Sequence, residues 1–229
     1  VTSQGITQTP SLFDFGPLAQ TYGRWYATAD GVRHDMAQKR DVLRFLGRAE
    51  TEARLLDVGC GTGHWSRFFA TLGYSVVGID LSLAMVRVAH SQRTPETTFQ
   101  VADACALPFE RASFDVVTAM ATIEFVITPS RALKEMMRCL RRGGRALIGT
   151  LNRDAPLNRE RLIEKREPYA SGHMYSPGDL RDLLEPLGRV RVTASNPDDA
   201  FSRKGLVESG PSAFETDLNG PFIIAEVRA

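Results

Sequence analysis

Leu55-Leu56-Asp57-Val58-Gly59-Cys60-Gly61-Thr62-Gly63 is the stretch whose reading decides the fold. A short apolar, strand-like run breaks into glycines at alternate positions, and a helix-like segment from His64 follows at once. Glycine tolerates positive φ and lets bare main chain approach a ligand, so strand, glycine loop and helix in succession cradle a nucleoside-type molecule. The next strand-like run, Ser75 to Ile79, is followed by Asp80, 17 positions beyond Gly63. That spacing suits a carboxylate that accepts hydrogen bonds from both hydroxyls of a ribose. The other role open to Asp80 is capping the helix that follows it.

The loop reads G-x-G-x-G, whereas the dinucleotide fingerprint is G-x-G-x-x-G, built to receive a pyrophosphate. Asp57, two residues before the first glycine, would oppose a pyrophosphate and favour a cation. S-adenosylmethionine carries an ammonium and a sulfonium and no phosphate. Charge complementarity therefore selects it over a nicotinamide dinucleotide.

Outward from the loop, strand-like runs at 54–58, 75–79, 98–101, 114–119 and 145–150 alternate with helical ones at 64–72, 82–92 and 129–141. This is the βαβ pattern of a parallel α/β sheet with helices on both faces. Ligands of such sheets sit at the carboxyl ends of the strands, where Gly59, Asp80, Asp103 and Met120 gather. A helix over 34–46 precedes the first strand, with Gly47 as its stop. Residues 1–30 hold no sustained period and read as an irregular arm. From Asn152 to Tyr175 the chain is polar and arginine-rich, with a short helix over 157–165. Ser176 and Pro177 open a helix that ends near Glu185. Residues 190–194 and 222–227 read as two further strands, joined by a stretch of roughly 196–220 that is long for a hairpin connection.

The ordered motifs resemble the class I S-adenosylmethionine-dependent methyltransferases. Residues 57–63 look like their motif I, and Asp80-Leu81-Ser82-Leu83-Ala84-Met85 resembles the acidic end of the second strand with its helix start. Ala102-Asp103-Ala104 resembles the segment whose Asp reads the adenine amino group. Ser113 to Val117 and Arg142 to Leu147 resemble the fourth strand and the glycine turn into the fifth. The likeness is nearest to the small-molecule branch with the ubiquinone and menaquinone biosynthesis enzymes, and it covers roughly residues 20–190. It implies a Rossmann-like doubly wound seven-stranded sheet of order 3-2-1-4-5-7-6, with strand 7 antiparallel. It also implies one domain over 1–229, with 1–33 as an arm or lid and 152–175 as a substrate-side insertion.

On this likeness, Tyr22, Asp57, Gly59, Cys60, Gly61, Gly63, Asp80, Leu81, Met85, Asp103, Ala104 and Met120 surround the cofactor. Cys60 has a second reading as a small core side chain, and Gly63 one as a helix-packing residue. Tyr22, with Trp25 and Tyr26, resembles an aromatic pattern that closes over the cofactor in related enzymes; the plain alternative is an anchor for the arm. Relatives often carry an acidic-His pair after the fourth strand, where this chain has Glu124-Phe125. Glu124, His173 and Tyr22 are the weak catalytic candidates, and His64 is a candidate for the cofactor tail. The implied activity is methyl transfer by in-line displacement to a small-molecule acceptor, leaving S-adenosylhomocysteine and using no metal. The alternative is a non-catalytic S-adenosylmethionine-binding or regulatory protein.

At 229 residues the chain is long enough for one large α/β core. Its 28 Lys+Arg against 27 Asp+Glu predict no polyanion partner, so nucleic acid is not expected as a substrate. Cys60, Cys105 and Cys139 form no paired spacing, arguing against a disulfide framework or zinc site. No apolar run approaches membrane-spanning length and no leader pattern is visible, so a cytoplasmic protein without membrane insertion is expected.

Overall fold

The computed structural model describes residues 11–49, 52–198 and 218–228. Seven strands form one sheet: β1 (Arg54–Val58), β2 (Ser75–Asp80), β3 (Thr97–Val101), β4 (Phe114–Met120), β5 (Leu140–Leu151), β6 (Arg189–Ser195) and β7 (Phe222–Arg228). Their order is β3-β2-β1-β4-β5-β7-β6. The first five are parallel, and β7 runs antiparallel to both neighbours. The expected architecture is the observed one.

Alternation along each strand explains the two-layer cover. Leu55, Val76, Val116 and Leu147 point to one face, against α1 (Ala29–Leu46) and α2 (His64–Thr71). Leu56, Ile79, Val117 and Ile148 point to the other, against α4 (Pro129–Cys139) and α6 (Pro177–Leu184). Between them in chain order lie α3 (Leu83–Ser91) and α5 (Pro156–Ile163). Fully buried Phe69 on α2 is one of the largest side chains in the first layer.

Two boundaries differ by more than two residues from the sequence reading. α1 begins at Ala29, not His34, because the Thr28 hydroxyl accepts from the Gly31 N–H at 3.0 Å and caps the helix five residues earlier. β5 begins at Leu140, directly after α4. Pairing jumps from Phe114↔Leu140 to Val116↔Arg145, so Gly143 (φ +79°) sits in a bulge inside the strand rather than in a turn before it. Residues 1–10 of the arm and 199–217 of the long connection lie outside the described residues. Among the described residues, no helix is long and apolar enough to cross a membrane.

Candidate functional site

At the end of β1 the chain turns through Gly59 (φ +71°) and Gly61 (φ +54°) into α2. The Thr122 hydroxyl, beyond the end of β4, donates to the carbonyls of Gly59 (3.2 Å) and Met120 (3.1 Å). A Cβ on Gly59 would lie 2.2 Å from the Thr122 methyl, so no side chain fits there. On Gly61 a Cβ would meet nothing within 4 Å, because that position faces open space. Glycine is needed at one position for packing and at the other for backbone conformation.

Asp80 closes the opposite side. Its Oδ2 accepts from the Gly61 N–H at 2.9 Å and its Oδ1 from the Ser82 N–H at 2.8 Å, tying the tip of β2 to the glycine loop. Each carboxylate oxygen keeps a lone pair for a second donor. Burial raises the Asp80 carboxyl above its usual range. Asp103, following β3, accepts from the Cys105 N–H at 2.8 Å.

These elements enclose a cavity of about 410 Å³. Of the residues the likeness places around the cofactor, Gly59, Gly61, Asp80, Leu81, Met85, Asp103, Ala104 and Tyr22 line it. Four expected residues do not. Asp57 is buried beneath the loop, where its Oδ2 accepts from Ser66 Oγ at 2.6 Å and its Oδ1 from Thr118 Oγ1 at 3.1 Å. Burial pushes its carboxyl up to about 6 despite those bonds. Asp57 therefore ties α2 and β4 to β1 from below. Cys60 points away from the cavity into a small core cluster with Val86, Ala89 and Phe99. Gly63 caps α2, where a Cβ would lie 2.8 Å from the Phe99 ring. Met120 packs in the core layer under α1 and α2.

The arm contributes more than the sequence suggested. Leu12 N–H donates to Phe125 O at 2.9 Å, and Phe15 meets the Phe125 ring edge-on with centroids 4.8 Å apart. Pinned there, Ser11, Phe13 and Phe15 become cavity wall, with Thr122 beside them. The only sequence signal for this was the local aromatic density of Phe13, Phe15 and Tyr22.

Phe15, Tyr22, Ala121 and Phe125 also line a second cavity of about 230 Å³, so the two adjoin. Ala121, at φ +51°, holds a left-handed conformation at this junction, a form of strain concentrated at functional sites. The second cavity draws Trp25 and Tyr26 from the arm and Arg161, Pro168 and Tyr169 from the 152–175 segment. Glu124 also lines it, fully buried, with neither carboxyl oxygen hydrogen-bonded among the described residues. The hydroxyl of nearby Thr150 is likewise without a partner at hydrogen-bonding geometry, although it and the Leu151 backbone lie near enough to offset part of the effect of burial on the carboxyl. Burial pushes the Glu124 carboxyl up to about 7. His173 lines neither cavity; its N–H donates to Glu124 O at 2.7 Å and its ring lies against Tyr175. His64 lines neither cavity as well, being held by Asp35 at 2.7 Å and stacked on Tyr26.

Comparison with known proteins agrees with this geometry. Residues 56–148, from β1 to the middle of β5, match the methyltransferase domain family. Over those residues the chain is similar to methyltransferase domains. It is similar to a demethylmenaquinone methyltransferase of Renibacterium salmoninarum, with 42% identity over 42% of this chain and 40% of that protein. It is also similar to a ubiquinone biosynthesis O-methyltransferase of Xanthomonas oryzae pv. oryzae, with 38% identity over 66% of this chain and 64% of that protein. The chain thus spans less than two thirds of either relative's length. Among solved structures, an S-adenosylmethionine-dependent methyltransferase of Thermotoga maritima, described as a possible histamine N-methyltransferase, superposes with a TM-score of 0.70. That match has 26% identity and covers 93% of this chain and 97% of the other.

The larger cavity fits S-adenosylmethionine. Asp80 offers two acceptor oxygens at the end of β2, Gly61 leaves its cavity face bare, and Asp103 stands beyond β3. Among the described residues, no group of three or more His, Cys, Asp or Glu side chains is placed to hold a metal.

Proposed function

We propose that this protein transfers a methyl group from S-adenosylmethionine to a small-molecule acceptor. The observation that carries the reading is the pair of adjoining cavities. One is built on Gly61 and Asp80, the other is an aromatic pocket of about 230 Å³, and they meet at Phe15, Tyr22, Ala121 and Phe125. In the larger cavity Asp80 holds the ribose hydroxyls, Asp103 the adenine amino group, and the bare loop at Gly59 and Gly61 the amino-acid tail. Bound there, S-adenosylmethionine supplies an activated methyl group for in-line displacement, leaving S-adenosylhomocysteine. The chain's own work is alignment and exclusion of water. Holding two reactants in line supplies on the order of 7–11 kcal/mol in favourable intramolecular cases.

Tyr22 lines both cavities, and burial keeps its phenol protonated well above the usual range. It is therefore a neutral donor at the junction, suited to orienting the cofactor's carboxylate or the acceptor. The arm, with the 152–175 segment, forms the lid over the acceptor pocket. The test is incubation with methyl-labelled S-adenosylmethionine and a panel of small acceptors. Label appearing in an acceptor, together with S-adenosylhomocysteine, supports the reading. Cofactor binding with no transfer across the panel makes the protein a non-catalytic binder instead.

A further inference from the structure

Glu124 has no task in the cofactor cavity, and its surroundings are unusual for a carboxyl. It is fully buried, and both oxygens lack hydrogen-bond partners among the described residues. Around the same cavity stand the rings of Tyr22, Trp25, Tyr26 and Trp65. A buried carboxylate without a donor is strongly unfavourable, and aromatic faces attract cations. The two features select the same kind of ligand: a positively charged nitrogen with hydrogens to donate, attached to an apolar body. Arg161, on the same wall, keeps its positive charge; its guanidinium is held 4.3 Å over the Tyr169 ring and donates to Asn158 Oδ1 at 3.0 Å.

The geometry points to the second cavity as a recognition site for a primary arylalkylammonium, with Glu124 as the residue that selects the ammonium. This deepens the proposed function, on which it rests, by assigning the acceptor to the amines. A neutral alcohol of the same shape would give Glu124 one donor and no charge. The inference makes Glu124 the residue that selects the ammonium; before methyl transfer one ammonium proton passes to its carboxylate, and the lone pair of the resulting neutral amine displaces S-adenosylhomocysteine from the methyl.

Other charged and titratable groups do not duplicate the role. Tyr22, Tyr169 and Tyr175 face Glu124 or its cavity as phenols, with Tyr22 and Tyr175 raised chiefly by burial. His34 lies on the same wall as Arg161, and burial, then Arg161, lowers it, so it stays neutral near pH 7. His173 sits behind the Tyr175 ring. Glu124 is thus the group whose ionisation near neutrality governs the ammonium. With its carboxyl near 7 in the empty pocket, ammonium affinity should rise about tenfold from pH 6 to pH 8.

The experiment is calorimetric titration of phenethylamine, tyramine and tryptamine, each against its matching alcohol, with and without S-adenosylhomocysteine. At least one amine should bind saturably and at least about tenfold more tightly than its alcohol. Glu124→Gln, isosteric and uncharged, should lose about tenfold for that amine, leave the alcohol unchanged and flatten the pH profile. Its melting temperature should not fall, because it removes an uncompensated buried acid. Equal binding of amine and alcohol, no binding by any amine, or an unaltered amine affinity in Glu124→Gln overturns the inference. Failure of S-adenosylhomocysteine to bind while amines still do would refute the proposed function and leave the amine site standing. Normal S-adenosylhomocysteine binding with no amine response would do the reverse.

Discussion

Replacing Glu124 by Gln should stabilise the protein, and by an amount that grows with pH. In the folded chain burial pushes this carboxyl from 4.5 to about 7. Between those values the native state holds a proton that the unfolded chain has released. Stability therefore falls as pH rises from about 4.5 to about 7 and is flat above, the sign required when the folded form binds more protons. With each tenfold change in proton concentration being about 1.4 kcal/mol, the wild type loses about 3 kcal/mol across that window through this one group. Gln does not titrate. The variant should match the wild type near pH 4.5 and exceed it by about 3 kcal/mol near pH 8, or roughly 6–12 °C in melting temperature for a chain of this size. Urea unfolding of both proteins from pH 4.5 to pH 8 reads the difference directly, because other titrating groups cancel between them. A difference independent of pH, or a variant less stable at pH 8, would mean that Glu124 is satisfied in the folded protein and the reasoning is wrong.

Three further outcomes follow from the site. Gly61→Ala places a side chain at φ +54° and in the cavity; it should destabilise by about 1–2 kcal/mol and weaken S-adenosylhomocysteine binding at least about tenfold, by urea unfolding and calorimetry. Asp57→Ala strands the Ser66 hydroxyl, leaves Thr118 only the Leu56 carbonyl and should cost about 2–4 kcal/mol, while Asp57→Asn should cost markedly less; equal losses would show that the charge, not the hydrogen bonding, holds the loop. Phe15→Ala removes a ring shared by both cavities and pinned on Phe125; it should raise the acceptor KM more than it changes cofactor affinity, as steady-state kinetics with a turned-over acceptor would reveal.

The sheet was legible because βαβ alternation leaves few topologies, and every strand the sequence pattern marked is present within the register the structure displays. Site residues were legible where main-chain conformation dictated the residue type, as at Gly59 and Gly61, or where a carboxylate ended a strand, as at Asp80. Motif membership alone does not tell which residues face the cavity, and Cys60, Gly63 and Met120 do not line it. Along the loop, Gly59 and Gly61 face the cavity, while Cys60 between them must face the core with Phe99. At the end of β4, Met120 packs inward and Ala121 and Thr122 form the wall. The arm could not be read because its place is set by long-range contacts, Leu12 to Phe125 and Phe15 to Phe125, which leave no periodic trace. Nor does a sequence disclose that Glu124 lacks a partner, since that depends on what Thr150 fails to reach.

The central claim is that Asp80 holds the ribose of S-adenosylmethionine in the cavity above the glycine loop. Calorimetric titration of S-adenosylhomocysteine into the wild type, Asp80→Asn and Asp80→Ala tests it most directly. The wild type should bind one equivalent. Loss of two charge-assisted hydrogen bonds, about 1.5–3 kcal/mol each, should weaken Asp80→Ala by about a hundredfold or more, with Asp80→Asn between the two. Affinity in Asp80→Ala equal to that of the wild type, in a variant that still folds, would contradict the account.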